Sequence, residues 1–423
     1  MPIVYVIIFA LMLIAGIPIA HVIGIESLIY MVKNDIALNA IPQKFFAGID
    51  NFVMLAIPGF LLAGNIMNHG GITQRIVNFS KHLFGTMRGG LGVANVVASM
   101  IFAGISGSAV GDTAAIGGIL IPGMIKDGYD PEFSVGVTVS SSALASLIPP
   151  SITMIIMAGV SGLSAGQLLI AGALPGVTLG LSLIVIAIYK AYKYKYPRGN
   201  KSSLGDIVRA FFDAFWALLM TIVILVGILS GYFSPTEASI VAVLYALFVS
   251  TVIYRELKIQ DLPKIIVKSM TTAAALLTLT GFASVFAWIL TRERIPQLIA
   301  GTIMSISSNK IIILLMINIL LIIVGMFMEK ISAILILFPI ILGITGELGM
   351  NPIHVAMIVQ LNLSIGLFTP PVGVCLFLGA DIANISFSRA ARGTWPFIAA
   401  SLVALLLVTF IPQISLFLPE LFY

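Results

Sequence analysis

Two pairs of adjacent prolines interrupt apolar runs of the chain: Pro149-Pro150 in SLIPPSITM (146–154) and Pro370-Pro371 in GLFTPPVGV (366–374). Proline has no N–H and cannot bond to the carbonyl four residues earlier, so neither run is one continuous helix. The carbonyls of Ala145, Ser146, Gly366 and Leu367 lose their helical partners. Composition tells what medium surrounds these breaks. Of 423 residues 59% are hydrophobic and 9% charged, and the mean hydropathy is +1.13. That leaves too little polar surface for a soluble domain, and apolar segments of roughly 20 residues recur throughout. They lack the alternation of outer-membrane strands, so an all-α polytopic membrane protein is expected. At membrane depth, non-helical backbone is tolerated only inside protein or beside water.

The breaks belong to a repeat. At an offset of 221 residues, the distance from Pro131 to Pro352, Pro42 meets Pro263, Pro175 meets Pro396, and the two Pro-Pro pairs coincide. Chance predicts ~0.5 such coincidences. Gly104 meets Gly325 and Gly172 meets Gly393, while Pro122 pairs with Pro339 at a local offset of 217. Basic residues orient the halves. YKAYKYKYPRGNKSS (189–203) belongs inside, and YRELKIQDLPKIIVK (254–268) returns to that side after two spans divided by SPTEAS (234–239). GVSGLSAGQ (159–167) is uncharged, whereas its counterpart SFSRAARGT (386–394) carries Arg389 and Arg392. Corresponding loops thus fall on opposite sides, which makes the repeats inverted. The expected layout is a first repeat over 1–215, with a re-entrant hairpin near 95–118 and a broken helix near 132–160. The second covers 216–423, with a hairpin near 311–345 and a broken helix near 353–382. Residues 3–32 cross once, or twice if Gly16-Ile17-Pro18 divides them, and lack the basic n-region of a signal peptide.

Paired breaks at equivalent positions of inverted halves point to a transport site at the midplane. Freed carbonyls suit a hard cation such as Na⁺, and half-helix N-termini favour anions. FAGISGSAVGDTAAIGG (102–118) is expected to form the first hairpin tip; in its counterpart VGMFMEKISAIL (324–335), Ser106 and Ser108 face Phe327 and Glu329. Asp112 and Glu329 are intramembrane acids and functional suspects, with a loop charge or a local pair to Lys330 as the alternative. Glu26, Glu237 and Asp381 lie near span ends, where solvation is expected. MNHGGITQRIVNFSKHLFGTMRGG (67–90) reads as an interfacial helix with Arg75, Lys81 and Arg88 towards headgroups. The single cysteine, Cys375, excludes a disulfide framework, and His21, His69, His82 and His354 form no cluster. The net charge of +5 sits in short loops, which gives no nucleic-acid signal.

With GISGSAVGDTAAIGG, LIPPSI, SPTEAS, GLFTPPVGV and GLSAGQLLIAGALPG (162–176), the chain resembles the large membrane subunit of TRAP (tripartite ATP-independent periplasmic) transporters over essentially its whole length. The resemblance implies a carrier and no enzyme: an elevator-type permease of the bacterial inner membrane, driven by sodium symport without ATP or another cofactor. Its partners would be a small four-helix membrane subunit, separate here because the chain opens at Met1, and a soluble periplasmic substrate-binding protein. Its substrates would be organic acids such as sialic acid, C4-dicarboxylates, keto acids or sugar acids. One Na⁺ site would use Gly104, Ser106, Ala145, Ile148 and Pro149, with Ser108 as a neighbouring alternative to Ser106. A second would use Gly325, Gly366 and Thr369. Ser108, Asp112, Thr113, Pro150 and Pro371 are expected around the substrate, and no Arg in these motifs offers a carboxylate clamp. One rival reading is a stand-alone Na⁺-coupled carboxylate carrier that needs no binding protein. A remote one is an intramembrane serine protease, since GISG (104–107) matches the rhomboid-type tetrapeptide. Ser106 would then need a base, and His354 is the only histidine C-terminal to it.

Overall fold

The computed structural model describes residues 8, 11, 12, 15, 17–199, 202–294, 298, 301 and 309–423. The number of crossings made by residues 3–32 lies partly outside them, as does the loop 292–310. Among the described residues the chain is all-α with no strand, and nine helices are long and apolar enough to cross a membrane. It is a multi-pass membrane protein.

In the first half, a hairpin of Gly90–Ser106 and Ala109–Lys126 is followed by a broken helix. Pro131–Ser142 continues through a 3-10 turn at Ala143–Ser146 to the first Pro-Pro pair, and Ile152–Ser161 resumes beyond it. In the second half the hairpin is Lys310–Phe327 and Lys330–Glu347, and the broken helix is Pro352–Gly366 and Val374–Ile382. The returning hairpin arms, Ala109–Lys126 and Lys330–Glu347, start and end 221 residues apart, as do the starts at Pro131 and Pro352. Both Pro-Pro bonds are cis.

Local chemistry sets these boundaries. Pro131 and Pro352 occupy first-turn positions, where a missing N–H costs nothing. Helices restart behind side-chain caps: Ser108 accepts from Gly111 N at 3.3 Å, Ser151 from Met154 N at 3.4 Å, and Glu329 from Ser332 N at 3.0 Å. Each such cap is worth about 1 kcal/mol. Ser234 and Glu237 form a reciprocal capping box, which places Glu237 at an exposed helix start. Asp381, near the end of Val374–Ile382, is also exposed.

The hairpins and broken helices pack around one another and against Ala173–Lys193 and Phe387–Phe410. A second group of helices flanks them: Ala56–His69 packs along Pro235–Phe248, and Leu262–Arg292 along Ile19–Lys33 and Ala40–Ile49. Lipid tails supply no hydrophobic drive between helices, so close approach by small residues holds such pairs together. Gly59 lies on Ser239, and Gly70 on Ser250, the same distance further along both segments, so the two run parallel.

Two expectations are corrected here. Residues 67–90 are not one interfacial helix, because the chain turns at Gly70-Gly71 before Ile72–Phe84. Ile72, Ile76 and Val77 of that helix are fully buried. Arg75 pairs with Glu256 at 2.6 Å and stacks 3.8 Å from the Tyr254 ring, a protein contact in place of a headgroup. Glu26 is 2% exposed, because Ile19–Lys33 carries it at mid-helix rather than at a span end.

Candidate functional site

Each hairpin end abuts a break. Gly107, which caps the first arm with φ +60°, sits against the Pro150 carbonyl: a Cβ there would lie 2.7 Å from its oxygen. In the second half Gly325 and Gly366 touch through backbone, and a Cβ on Gly366 would lie 2.5 Å from the Gly325 carbonyl carbon. Glycine is required there, since no flexible side chain can give way.

The first expected cation set is brought together. Gly104 and Ser106 end the first arm, which packs on the 3-10 turn holding Ala145, and Ile148 and Pro149 follow directly. The Ser106 hydroxyl donates to Asp112 Oδ1 and accepts from Ser108 N at 3.3 Å. Asp112 is fully buried, and its Oδ2 has no partner. An orphaned carboxylate oxygen beside a hydroxyl and freed carbonyls is an oxygen donor set that fits a hard cation. In the second set Gly325 meets Gly366, and Thr369, 4% exposed, donates to Ile365 O at 2.6 Å while keeping lone pairs free.

Three of the four carbonyls freed by proline have donors within the protein. Ser146 O accepts from Ser151 Oγ at 2.8 Å and from the Gln360 amide, which also donates to Thr153 Oγ1. Leu367 O accepts from Cys375 N at 3.0 Å, and Gly366 O from Thr369 N at 3.2 Å. The first break is therefore closed by side chains, Ser151 of its own half and Gln360 of the opposite one, and the second by backbone N–H groups of its own half. Ser146 and Ser364 hydroxyls lie 2.8 Å apart and join the two broken helices directly.

A two-lobed cleft separates the first hairpin tip from the flanking helices. The smaller lobe, about 150 Å³, is lined by Ser108, Thr153, Glu329 and Lys330 with apolar Ile152 and Leu276. The larger, about 360 Å³, is lined by Asn65, Asn68, Ser106, Ser108 and Lys268. Of the residues expected around a substrate, Ser108 lines both lobes. Asp112 and Thr113 are buried behind the tip, where Thr113 donates to Ala109 O at 3.0 Å. Pro150 is buried against Gly107, and Pro371 is exposed and lines neither lobe. Sequence reasoning passed over Gln360, hidden in an apolar helix, and Lys330, read only as a neighbour of Glu329. Glu329 turns instead to its own helix start, and Lys330 is 3% exposed with Nζ donating to Ser364 Oγ at 2.7 Å.

No protease dyad forms. His354 Nε2 lies 3.2 Å from Thr409 O, away from Ser106, whose hydroxyl is spent on Asp112. Among the described residues no three His, Cys, Asp or Glu side chains converge on a metal-sized site.

Comparison with known proteins agrees with this architecture. The family model described as "Tripartite ATP-independent periplasmic transporter, DctM component" matches residues 6–414. Over 418 residues the chain is 41% identical to protein YgiK of Salmonella typhimurium, covering 98% of this chain and 96% of that one. It is 37% identical over 412 residues to the sialic acid TRAP transporter large permease protein SiaM of Vibrio cholerae, at 97% and 96% coverage. Identity to the C4-dicarboxylate TRAP transporter large permease protein DctM of Rhodobacter capsulatus is 35% over 434 residues, at 99% and 98% coverage. The fold resembles the crystal structure of the Alcanivorax borkumensis YdaH transporter, with TM-score 0.65 and 14% identity over 87% of this chain and 86% of that one. With a family model matched over nearly its full length, and with hairpins, breaks and cleft in place, the chain belongs to the TRAP transporter large permease family, the DctM component.

Proposed function

We propose that this permease imports an organic acid across the bacterial inner membrane, coupled to Na⁺, by an elevator movement of its hairpins and broken helices. In this reading residues 1–215 and 216–423 are inverted repeats, a small four-helix subunit supports the flanking helices, and a soluble periplasmic protein delivers the acid. The observation that carries it is the meeting of each hairpin end with a Pro-Pro break, Gly107 on Pro150 and Gly325 on Gly366, beside the unpaired Asp112 Oδ2. Residues fit to hold Na⁺ are Ser106 and Asp112 at the first junction and Thr369 at the second, with backbone carbonyls around them. Bound Na⁺ would supply the charge that draws each tip onto its break. The substrate class is supported by relatives named for sialic acid and for C4-dicarboxylates.

The test is uptake of labelled organic acids into proteoliposomes containing the chain and its small subunit, with and without the binding protein. Uptake that needs both a Na⁺ gradient and the binding protein is the expected result, and Ser106→Ala or Thr369→Ala should raise the Na⁺ requirement. Uptake indifferent to the binding protein would replace this reading with a stand-alone carboxylate carrier.

A further inference from the structure

Among the described residues Lys330 is the one lysine or arginine that is buried. It opens the returning arm of the second hairpin, and its Nζ donates to Ser364 Oγ at 2.7 Å. Ser364 is also 2.8 Å from Ser146 Oγ, so the ammonium sits where the two broken helices cross. Its neighbour in sequence makes no ion pair with it: the Glu329 carboxylate turns to its own helix start and accepts from Ser332 N and Oγ at 3.0 and 3.3 Å. The ion pairs among the described residues, Arg75–Glu256 and Arg389–Glu132, are elsewhere. An ammonium has three donors, and the protein uses one. Its side chain lines the smaller lobe of the cleft beside Ser108 and Thr153. A buried ammonium without an ion-pair partner is unfavourable, and the lobe beside it leaves room for an anion to complete the site.

We infer that Lys330 is the anchor for the substrate's carboxylate, and that the substrate is a monocarboxylate whose hydroxylated remainder fills the larger lobe. This rests on the transport reading above and specifies its ligand. The smaller lobe, about 150 Å³, takes the carboxylate end, with Ser108 and Thr153 hydroxyls beside it. The larger, about 360 Å³, offers the amides of Asn65 and Asn68 to hydroxyl or amide groups. A second carboxylate is disfavoured in the smaller lobe, where Glu329 forms part of the wall. Lys268, in the larger lobe, is exposed and solvated, and so holds a second carboxylate only weakly.

The test is thermal stabilisation of the purified full chain at saturating Na⁺ by N-acetylneuraminate, gluconate and succinate, and by the neutral carboxamide of each. The wild type is expected to favour a hydroxylated monocarboxylate over its carboxamide by roughly a hundredfold in apparent affinity, and over succinate. In Lys330→Met the acid-over-amide preference should fall to about threefold or less, while stabilisation by Na⁺ alone persists and certifies the fold. Lys330→Arg should restore part of the preference. Should Lys330→Met not fold, Ser364→Ala keeps the lysine but removes the hydroxyl that positions Nζ, along with its contact to Ser146, and should lower the preference roughly threefold to tenfold. A Lys330→Met chain that keeps its preference overturns the assignment. So does one that loses its Na⁺ response with the preference intact, because Lys330 would then serve the cation site. A wild type that gains nothing from Na⁺ or from any of the acids sinks the transport reading itself, an outcome distinct from a defect confined to the variant.

Discussion

A single methyl group separates a working junction from a blocked one at Gly366. Its Cβ would meet the Gly325 backbone, 2.5 Å from the carbonyl carbon, and backbone cannot swing aside. Gly366→Ala is expected to lower stability by about 1–3 kcal/mol, read as thermal unfolding of the purified chain, and to abolish Na⁺-driven uptake. Gly346→Ala, where a Cβ meets nothing within 4 Å, should leave both unchanged or gain a little helix propensity. Asp112→Asn keeps the shape beside Ser106 but removes the charge, and should raise the Na⁺ concentration for half-maximal uptake about tenfold, which one conserved hydrogen bond less the charge would allow. At the membrane edge Arg389 hydrogen-bonds Glu132 at 2.7 Å and holds its carboxyl below the ordinary 4.5. A depressed acid contributes its stability above the unfolded value and loses it as pH falls through the folded one. The difference in unfolding temperature between wild type and Glu132→Gln should therefore be small at neutral pH, because the pair is half-exposed, and vanish below the carboxylate range. Single residues also mark the limit of legibility. Glu26 and Lys330 carry charges that composition assigns to loops, and only tertiary packing buries them.

At the scale of elements, each half fastens its first hairpin arm to its broken helix with an asparagine. Asn95 donates to Thr138 at 2.6 Å and accepts from Ser141 at 3.3 Å; Asn362 donates to Asn318 Oδ1 at 2.9 Å, and Asn318 to Thr409 at 3.1 Å. Ser141 and Asn362 are 221 residues apart, so both clamps occupy the same place with different chemistry. Between the halves, Gln360 closes the gap that proline opens at Ser146. Gln360→Leu should cost about 1 kcal/mol, because Ser151 still serves that carbonyl. Gln360→Glu should cost more, because it sets an acceptor against an acceptor; thermal unfolding of the two variants decides the order. The breaks were legible because the defect of proline is local: helix stops at Ser146 and Gly366 and resumes at Ile152 and Val374. Their repair was not legible, because a glutamine in an apolar helix declares nothing about a carbonyl 214 positions away.

Over the whole molecule, the cleft between the first hairpin tip and the flanking helices is the surface along which an elevator would slide. Val110 on the tip and Thr272 on Leu262–Arg292 line both of its lobes from opposite sides. Bridging Val110→Cys and Thr272→Cys with a bis-maleimide should stop uptake while leaving Na⁺-dependent stabilisation in place; undiminished uptake would refute sliding at this surface. The native chain makes such work direct. Cys375, its only thiol, is completely buried in the second broken helix. To a water-borne fluorophore or spin label the protein therefore behaves as one without cysteine, and a pair of dyes can be placed on tip and flank without stripping the native sulfur from the site whose motion they would report.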